Sequence, residues 1–290
     1  MKQIVKVERI DEPDDFVVYS DTDSAFVLAE PIIKAMMPDV DIKNDSQMTE
    51  AIMVVTGEVQ KYVNDFYDIM ASNIFNLTES RFGEKSHTFD AKQEVISKTS
   101  FWLAKKRYAQ WIIHKEGTLL DKPELEIKGI DVVRTSFPIA FRVFVKSFLE
   151  KILTDCPQKE LDQMILDFKA KIPTFDIIEL AKNTSVKFIS KSSKNYNPKE
   201  RRIFQSVNGA PAQVKASLAY NDLLKKWGIA QQYSPILHGQ KIKYIYLKQN
   251  PFDIDALSLK ADGTDPKKMI EYIEKYIDRY KMYEGNLNLN

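Results

Sequence analysis

The sequence predicts an α+β protein in two parts: an antiparallel sheet with packed helices over residues 1–131, then a mostly helical domain over 132–290. Three patterns carry that expectation. Short β-branched and aromatic runs are concentrated in the first half, apolar residues recur at three- and four-residue spacing between and beyond them, and acidic and basic stretches separate along the chain.

Taken in order, Phe16-Val17-Val18-Tyr19 and Ala25-Phe26-Val27-Leu28 read as two buried strands, with Ser20-Asp21-Thr22-Asp23-Ser24 as the hairpin tip between them. Residues i and i+2 of an extended segment face the same way, so Asp21 and Asp23 are placed to approach one site unless the turn splays them. Two close carboxylates repel unless a cation lies nearby, and a hard, oxygen-seeking ion such as Mg²⁺ meets that demand. The same residues also suit an Asx turn in which the aspartates bond only their own backbone.

Met48 to Phe75 places Ile52, Val55, Val59, Tyr62, Val63, Phe66, Ile69 and Met70 on one helical face, expected to pack on the sheet, with Asn44 or Ser46 as its cap. Val95 to Ile113 reads as strand, turn and strand, and Leu125 to Ile130 as a further strand. If Lys105 to Tyr108 is extended, Lys106 and Tyr108 share one face while Lys105 and Arg107 share the other. Beyond Gly129, Phe137, Ala140, Phe141, Phe144, Val145, Phe148, Leu149 and Ile152 form one apolar stripe with Pro138 in the first turn. Helices are expected at Glu160 to Ala170, Asp176 to Ala181 and Tyr220 to Trp227, the last stopped by Gly228. Ser190 to Val207 reads as a mobile basic loop, Lys241 to Lys248 as a strand and Met269 to Tyr283 as a closing Tyr-rich helix.

Composition excludes several classes. The single Cys156 forbids an internal disulfide and suits a reducing compartment, so a cytoplasmic location is expected. Met1 to Pro13 lacks the apolar core of a signal peptide, and no apolar run approaches the roughly 18 residues of a membrane span. His87, His114 and His238 show no metal-ligand spacing and read as surface or satisfied structural residues. The net charge of +1 is uninformative, but its distribution is not. Acids far outnumber Lys34, Lys43 and Lys61 over residues 11–70, and bases far outnumber Glu200 and Asp222 over residues 182–226. That asymmetry suits a protein that grips phosphate in one place and does chemistry in another.

The order Tyr19-Ser20-Asp21-Thr22-Asp23-Ser24, then Lys105-Lys106-Arg107-Tyr108, resembles the family B DNA polymerases, in particular the tailed-phage, T-even type replicative branch. Smaller likenesses follow collinearly: Lys92 to Ser97, Lys128-Gly129-Ile130, Pro211 to Asn221, Asn250-Pro251-Phe252 and Tyr276-Ile277-Asp278. The resemblance implies a palm portion over 1–131 and a thumb over 132–290, and nucleotidyl transfer at two Mg²⁺ ions. It makes Asp23 the metal-bearing catalytic aspartate, with Asp21 assisting. Thr22 and Glu94 would lie near the nucleotide, and Lys105, Lys106, Arg107 and Tyr108 at the primer end. Lys215, Ser217 and Tyr220, with Arg201 and Arg202, would hold primer-template DNA, and the 190–207 loop would order on the duplex.

Departures from the family pattern shape what is expected of the chain. Ser20 stands where the family usually has Gly, and Lys92 where phage relatives often carry an acid. No segment resembles motif A, motif B or the 3′–5′ exonuclease, so the expectation is a part of a polymerase, from a split gene or as an expression fragment, inactive alone and completed by an N-terminal partner chain carrying the exonuclease, the fingers and the remaining palm. The tail Gly285 to Asn290 differs from the short hydrophobic clamp-binding tail of phage relatives, which argues against a clamp contact. The alternative is a non-catalytic primer-template-binding subunit with a vestigial palm.

Overall fold

The computed structural model describes residues 16–73, 88–187 and 210–284. It is a mixed α/β chain with three small antiparallel sheets among the described residues, and it divides into two compact units, Met1–Gly129 and Ile130–Asn290.

The first unit begins with β1 (Val17–Asp21) and β2 (Ser24–Val27), paired in register from Asp21 opposite Ser24 back to Val17 opposite Val27. These strands were expected to be buried; instead Val17, Val18 and Val27 are exposed, and only Tyr19 and Phe26 turn inward. A short helix unforeseen from sequence, α1 (Ala29–Met36), packs Ile33 against Ala51 and Val55 of α2 (Asp45–Asn73). Asn44 caps α2, its side-chain oxygen accepting from the N–H groups of Ser46 and Gln47.

The rest of α2 departs from expectation. Its stripe was expected to pack on the sheet, yet Val59, Tyr62, Phe66 and Ile69 are 38%, 43%, 48% and 55% exposed. Polar side chains tie α2 to the approach to β3 instead. Asn64 exchanges hydrogen bonds with the backbone of Ala91, Gln60 accepts from the Gln93 N–H, and Asp45 pairs with Lys98 at 2.6 Å. The main sheet follows, β3 (Val95–Ala104), β4 (Arg107–Lys115) and β5 (Thr118–Lys128), with β4 central. Glu116 and Gly117 both take positive φ, as a two-residue type I′ connection between β4 and β5 requires. Pro123 is tolerated in β5 because that strand is an edge. His114, expected at the surface or satisfied, is buried with its Nδ1 unpartnered.

The second unit holds a larger core. Its helices are α3 (Ile139–Leu153), α4 (Gln158–Lys171), α5 (Ile177–Leu180), α6 (Ala212–Lys226), α7 (Lys267–Tyr276) and α8 (Arg279–Glu284). They surround a sheet of β6 (Lys182–Ser185), β7 (Lys241–Tyr246) and β8 (Ala256–Lys260), in the order β6-β7-β8. Phe144 stacks on Phe168 at 4.1 Å, and Phe141, Leu180, Tyr220, Leu223, Ile245 and Leu257 are fully shielded. Asp176 and Glu179 form a reciprocal capping box on α5.

The closing helix expected over Met269 to Tyr283 is two helices. Ile277 leaves the helix to bridge Leu247, the Asp278 N–H donates to Tyr246 O, and the Asp278 carboxylate accepts from the Lys281 N–H to start α8. Asn250 organises the preceding loop. Its amide donates to the carbonyls of Lys248 and Ile254, and its oxygen accepts from the Phe252 and Ile254 N–H groups and from the Tyr272 hydroxyl.

Candidate active site

The acidic hairpin tip is a tight turn built on one unfavourable residue. Thr22 has φ 55°, and around it the Asp23 N–H donates to Asp21 O at 2.7 Å, a three-residue γ-turn. A β-branched residue at positive φ is strained, by about 1–3 kcal/mol. The turn is reinforced by the Ser24 hydroxyl, which also donates to Asp21 O, at 3.2 Å. The two aspartates are consequently in different settings: Asp21 ends β1 and is half-buried, whereas Asp23 lies in the turn and is exposed.

Asp21 meets the basic motif directly, with its carboxylate 3.2 Å from Lys106 Nζ. Partial desolvation works to raise the Asp21 pKa, but the Lys106 hydrogen bond and charge, the Lys105 charge and the Thr22 hydroxyl outweigh it and hold the carboxyl below its ordinary range. Among the described residues Asp23 enters no ion pair.

Lys105 and Lys106 are not extended, which corrects the strand reading of that segment. They form the two-residue turn between β3 and β4, with Ala104 opposite Arg107 and Lys106 at φ 62°. Lys-Lys is a poor turn sequence, and contacts from elsewhere in the unit hold it. The Lys106 N–H donates to the Tyr19 hydroxyl at 3.0 Å. Gly129, at φ 64°, presses so close that a Cβ there would lie 1.8 Å from Lys106 O. Only glycine fits that crossing.

Below the turn, Tyr19, Phe26, Trp102 and Tyr108 form a mutually contacting aromatic quartet, with Trp102 and Tyr108 at 4.6 Å and Phe26 edge-on to Trp102 at 4.8 Å. The hairpin is thereby docked on the sheet through one residue of each strand β1 to β4. A polar line continues along the sheet: the Ser97 hydroxyl donates to Gln110, the Gln110 amide to Glu126, and Glu126 pairs with Lys128, which is opposite Tyr108. Burial raises the Tyr108 pKa above that of an ordinary phenol, against the opposing pull of Lys128. The Lys128 pKa is raised chiefly by its hydrogen bond to Glu126, with smaller contributions from the charge of Glu126, from Tyr108 and from Glu94. Glu94 itself is exposed, and its carbonyl accepts from the Glu116 N–H.

The structure thus brings together Asp21, Thr22, Asp23, Lys105, Lys106 and Tyr108, with Arg107 next in β4. Sequence reasoning missed Trp102, which was signalled only by its place three residues before Lys105, and the positioning of Lys106 by Tyr19. Ser20 is exposed on β1 opposite Ala25, and Lys92 pairs with Asp90 at 3.0 Å.

In the second unit the expected DNA contacts separate. Lys215 is partly exposed, but Ser217 and Tyr220 are fully buried on α6, because that helix starts at Ala212 and lays this face on β8. Ser217 donates to Gln213 O and lies 3.2 Å from the Ser258 hydroxyl. These two residues are core, not contacts to a duplex. Arg201, Arg202, the 190–207 loop, His87 and the tail at 285–290 lie outside the described residues. No helix among the described residues is long and apolar enough to cross a membrane.

Comparison with known proteins identifies the family. The model of the divergent family B DNA polymerases matches residues 10–205. The DNA-directed DNA polymerase of Enterobacteria phage T4 is 21% identical over 280 residues, covering 93% of this chain and 29% of the relative. That of Escherichia phage RB69 is 24% identical over 269 residues, covering 90% of this chain and 28% of the relative. The chain therefore spans less than a third of the length of these curated relatives. With a family match over most of its length and the acidic tip docked on the Lys-Lys-Arg-Tyr turn, the chain belongs to the divergent family B DNA polymerases.

Proposed function

We propose that this chain supplies the motif C hairpin and the primer-gripping turn of a DNA-directed DNA polymerase, the first unit serving as part of the palm and the second as the thumb. The observation that carries the reading is the joint between tip and turn, where Tyr19 and Asp21 both engage Lys106. It fixes an acidic group and a cationic one side by side on docked elements, as transfer of a nucleotide to a primer end requires.

Asp23 is assigned to the metal, and Asp21, neutralised by Lys106, to electrostatic support. The donors are all oxygen, which suits Mg²⁺. Among the described residues no three His, Cys, Asp or Glu gather into a site, so Asp23 would hold the ions together with a carboxylate from outside these residues. When bound, Mg²⁺ would help to activate the primer 3′-hydroxyl and to stabilise the charge of the departing pyrophosphate.

The chain's own side chains do the positioning. Lys106 and Tyr108 would meet the minor-groove side of the primer end, where base identity is read poorly and a sequence-independent enzyme loses nothing. Lys105 and Arg107 would neutralise primer phosphates, Thr22 and Glu94 would border the incoming dNTP, and Lys215, Arg201 and Arg202 would hold the product duplex. The second carboxylate, the exonuclease and the nucleotide-selecting elements are assigned to a partner polypeptide. Primer extension tests this reading. The 290-residue chain alone should incorporate no nucleotide, and addition of a polypeptide bearing the missing palm carboxylate should yield Mg²⁺-dependent extension. Incorporation by the chain alone would refute it.

A further inference from the structure

On the sheet face that docks the acidic tip, Tyr108 pairs in register with Lys128 and Gln110 with Glu126 across β4 and β5. Alternate residues of a strand face the same way, so these four side chains share one face with Trp102, the partner of Tyr108 on β3. We propose that Lys128 is a further primer contact, holding a phosphate of the primer strand near its 3′ end, and that Glu126 and Gln110 are positioning residues that aim it. That the ligand is a primer strand rests on the polymerase reading; the aiming of Lys128 rests on three observations.

The first is a line of contacts that runs from the interior to the surface. The Ser97 hydroxyl donates to Gln110 at 2.7 Å, the Gln110 amide donates to Glu126 at 3.3 Å, and the Glu126 carboxylate lies 3.2 Å from Lys128 Nζ. Gln110 is 1% exposed, whereas the Lys128 side chain is 55% exposed. The line therefore has an anchored end and a free end. A lysine side chain held in one direction loses less conformational entropy when its ligand arrives.

The second is energetic. An ion pair this open to water contributes little to stability. Burying the Gln110 amide costs desolvation that its hydrogen bonds only offset. Folding does not account for the line, and a ligand at its outer end does.

The third is location and charge. Lys128 stands opposite Tyr108, whose ring lies 5.9 Å from Tyr19 and 5.5 Å from Phe26 in the acidic hairpin. The hydrogen bond to Glu126 and the Glu126 charge, with smaller contributions from Tyr108 and Glu94, raise the lysine pKa against partial burial, so the ammonium stays charged. An ammonium has three donors and Glu126 occupies one, which leaves a point charge able to take phosphate oxygens.

The test uses the full chain and two labelled DNAs, a primer-template with a recessed 3′ end and a closed dumbbell duplex that has no 3′ end. Affinity is read by anisotropy across a salt series. The wild-type chain should prefer the primer-template. Lys128→Met should bind it about tenfold more weakly, the scale of one charge-assisted hydrogen bond, with the log–log salt slope reduced by about 0.9. Dumbbell binding should be unchanged, and Lys128→Arg should restore the slope. Gln110→Leu, which alters no charge, should weaken primer-template binding by about threefold, the scale of a lost neutral hydrogen bond, and should add nothing in the Lys128→Met background. An equal loss in both backgrounds would make Gln110 merely structural and overturn the positioning role. Glu126→Ala repeats this cycle at a partly exposed site should thermal melting show Gln110→Leu unfolded.

Equal losses on both DNAs, or none in Lys128→Met, would overturn the primer contact, as would a wild-type chain with no preference for the recessed end. Primer extension with the completed enzyme is scored in parallel. The expected binding pattern without any wild-type extension upholds the aimed Lys128 and sinks the polymerase reading; extension by Lys128→Met equal to wild type, with equal binding, does the reverse.

Discussion

In the second unit Phe141, Leu180, Tyr220 and Leu257 are fully shielded, whereas in the first the α2 residues Val59, Tyr62, Phe66 and Ile69 and the hairpin residues Val17, Val18 and Val27 face outward. The second unit closes a core of its own from both helices and sheet. The first has a small α1–α2 cluster, an aromatic quartet and a set of polar ties, with its largest apolar faces left open. The contrast teaches that the two units have solved different problems. One closes a core of its own; the other is a framework that holds an acidic tip against a basic turn.

The largest effect that would test this division is chemical. In the completed enzyme Asp23→Ala should lower primer extension by about 10³-fold or more, since losing metal stabilisation worth several kcal/mol at about 1.36 kcal/mol per tenfold gives that scale. Co-sedimentation of the parts should be unchanged. Asp21→Asn should be clearly milder, and equal losses for the two variants would erase the distinction between them.

Core truncation sharpens the comparison next. Phe141→Ala should cost about 3–5 kcal/mol in denaturant unfolding, and Phe66→Ala on the open face of α2 no more than about 0.5 kcal/mol. Similar losses at both positions would mean that the isolated chain already covers α2.

Gly129→Ala comes third. Positive φ alone should cost about 1–2 kcal/mol, and the clash with Lys106 O should displace the turn, so that primer-template affinity falls while the second unit's unfolding is unaltered.

The smallest effect is a titration. The depressed Asp21 pKa means that this carboxylate contributes stability above its unfolded value of about 3.9, and that the contribution is lost as pH falls through the lower folded value. A carbon-detected NMR titration should place the Asp21 midpoint below that of an ordinary aspartate, and Lys106→Met should move it upward. An unmoved midpoint would show that the ion pair does not form in solution.

Much of this architecture was legible in the sequence because local chemistry and tertiary structure agree there. The acids between two β-branched runs form a hairpin tip, Asn44 caps α2, and Pro138 marks the start of α3, although it stands at the N-cap rather than inside the first turn. What was not legible depends on partners remote in the chain. The Lys-Lys turn contains no Gly, Asn or Asp, and Tyr19 and Gly129 hold it from outside. Lys182–Ser185 is a strand with no apolar residue, stabilised by pairing with β7, and Ala256–Lys260 is buried at every position and shows no alternation. The break before α8 lacks Gly or Pro and follows from a bridge to Leu247. Ser217 and Tyr220 were misread because a resemblance carries residue types but not the side of a helix they face.

The aromatic quartet has an optical consequence. Trp102 touches both tyrosines, Tyr19 and Tyr108, while Tyr19 leads directly into the acidic tip. Energy transfer from these rings couples its emission to Tyr19, so an intrinsic fluorophore lies within reach of the acidic tip.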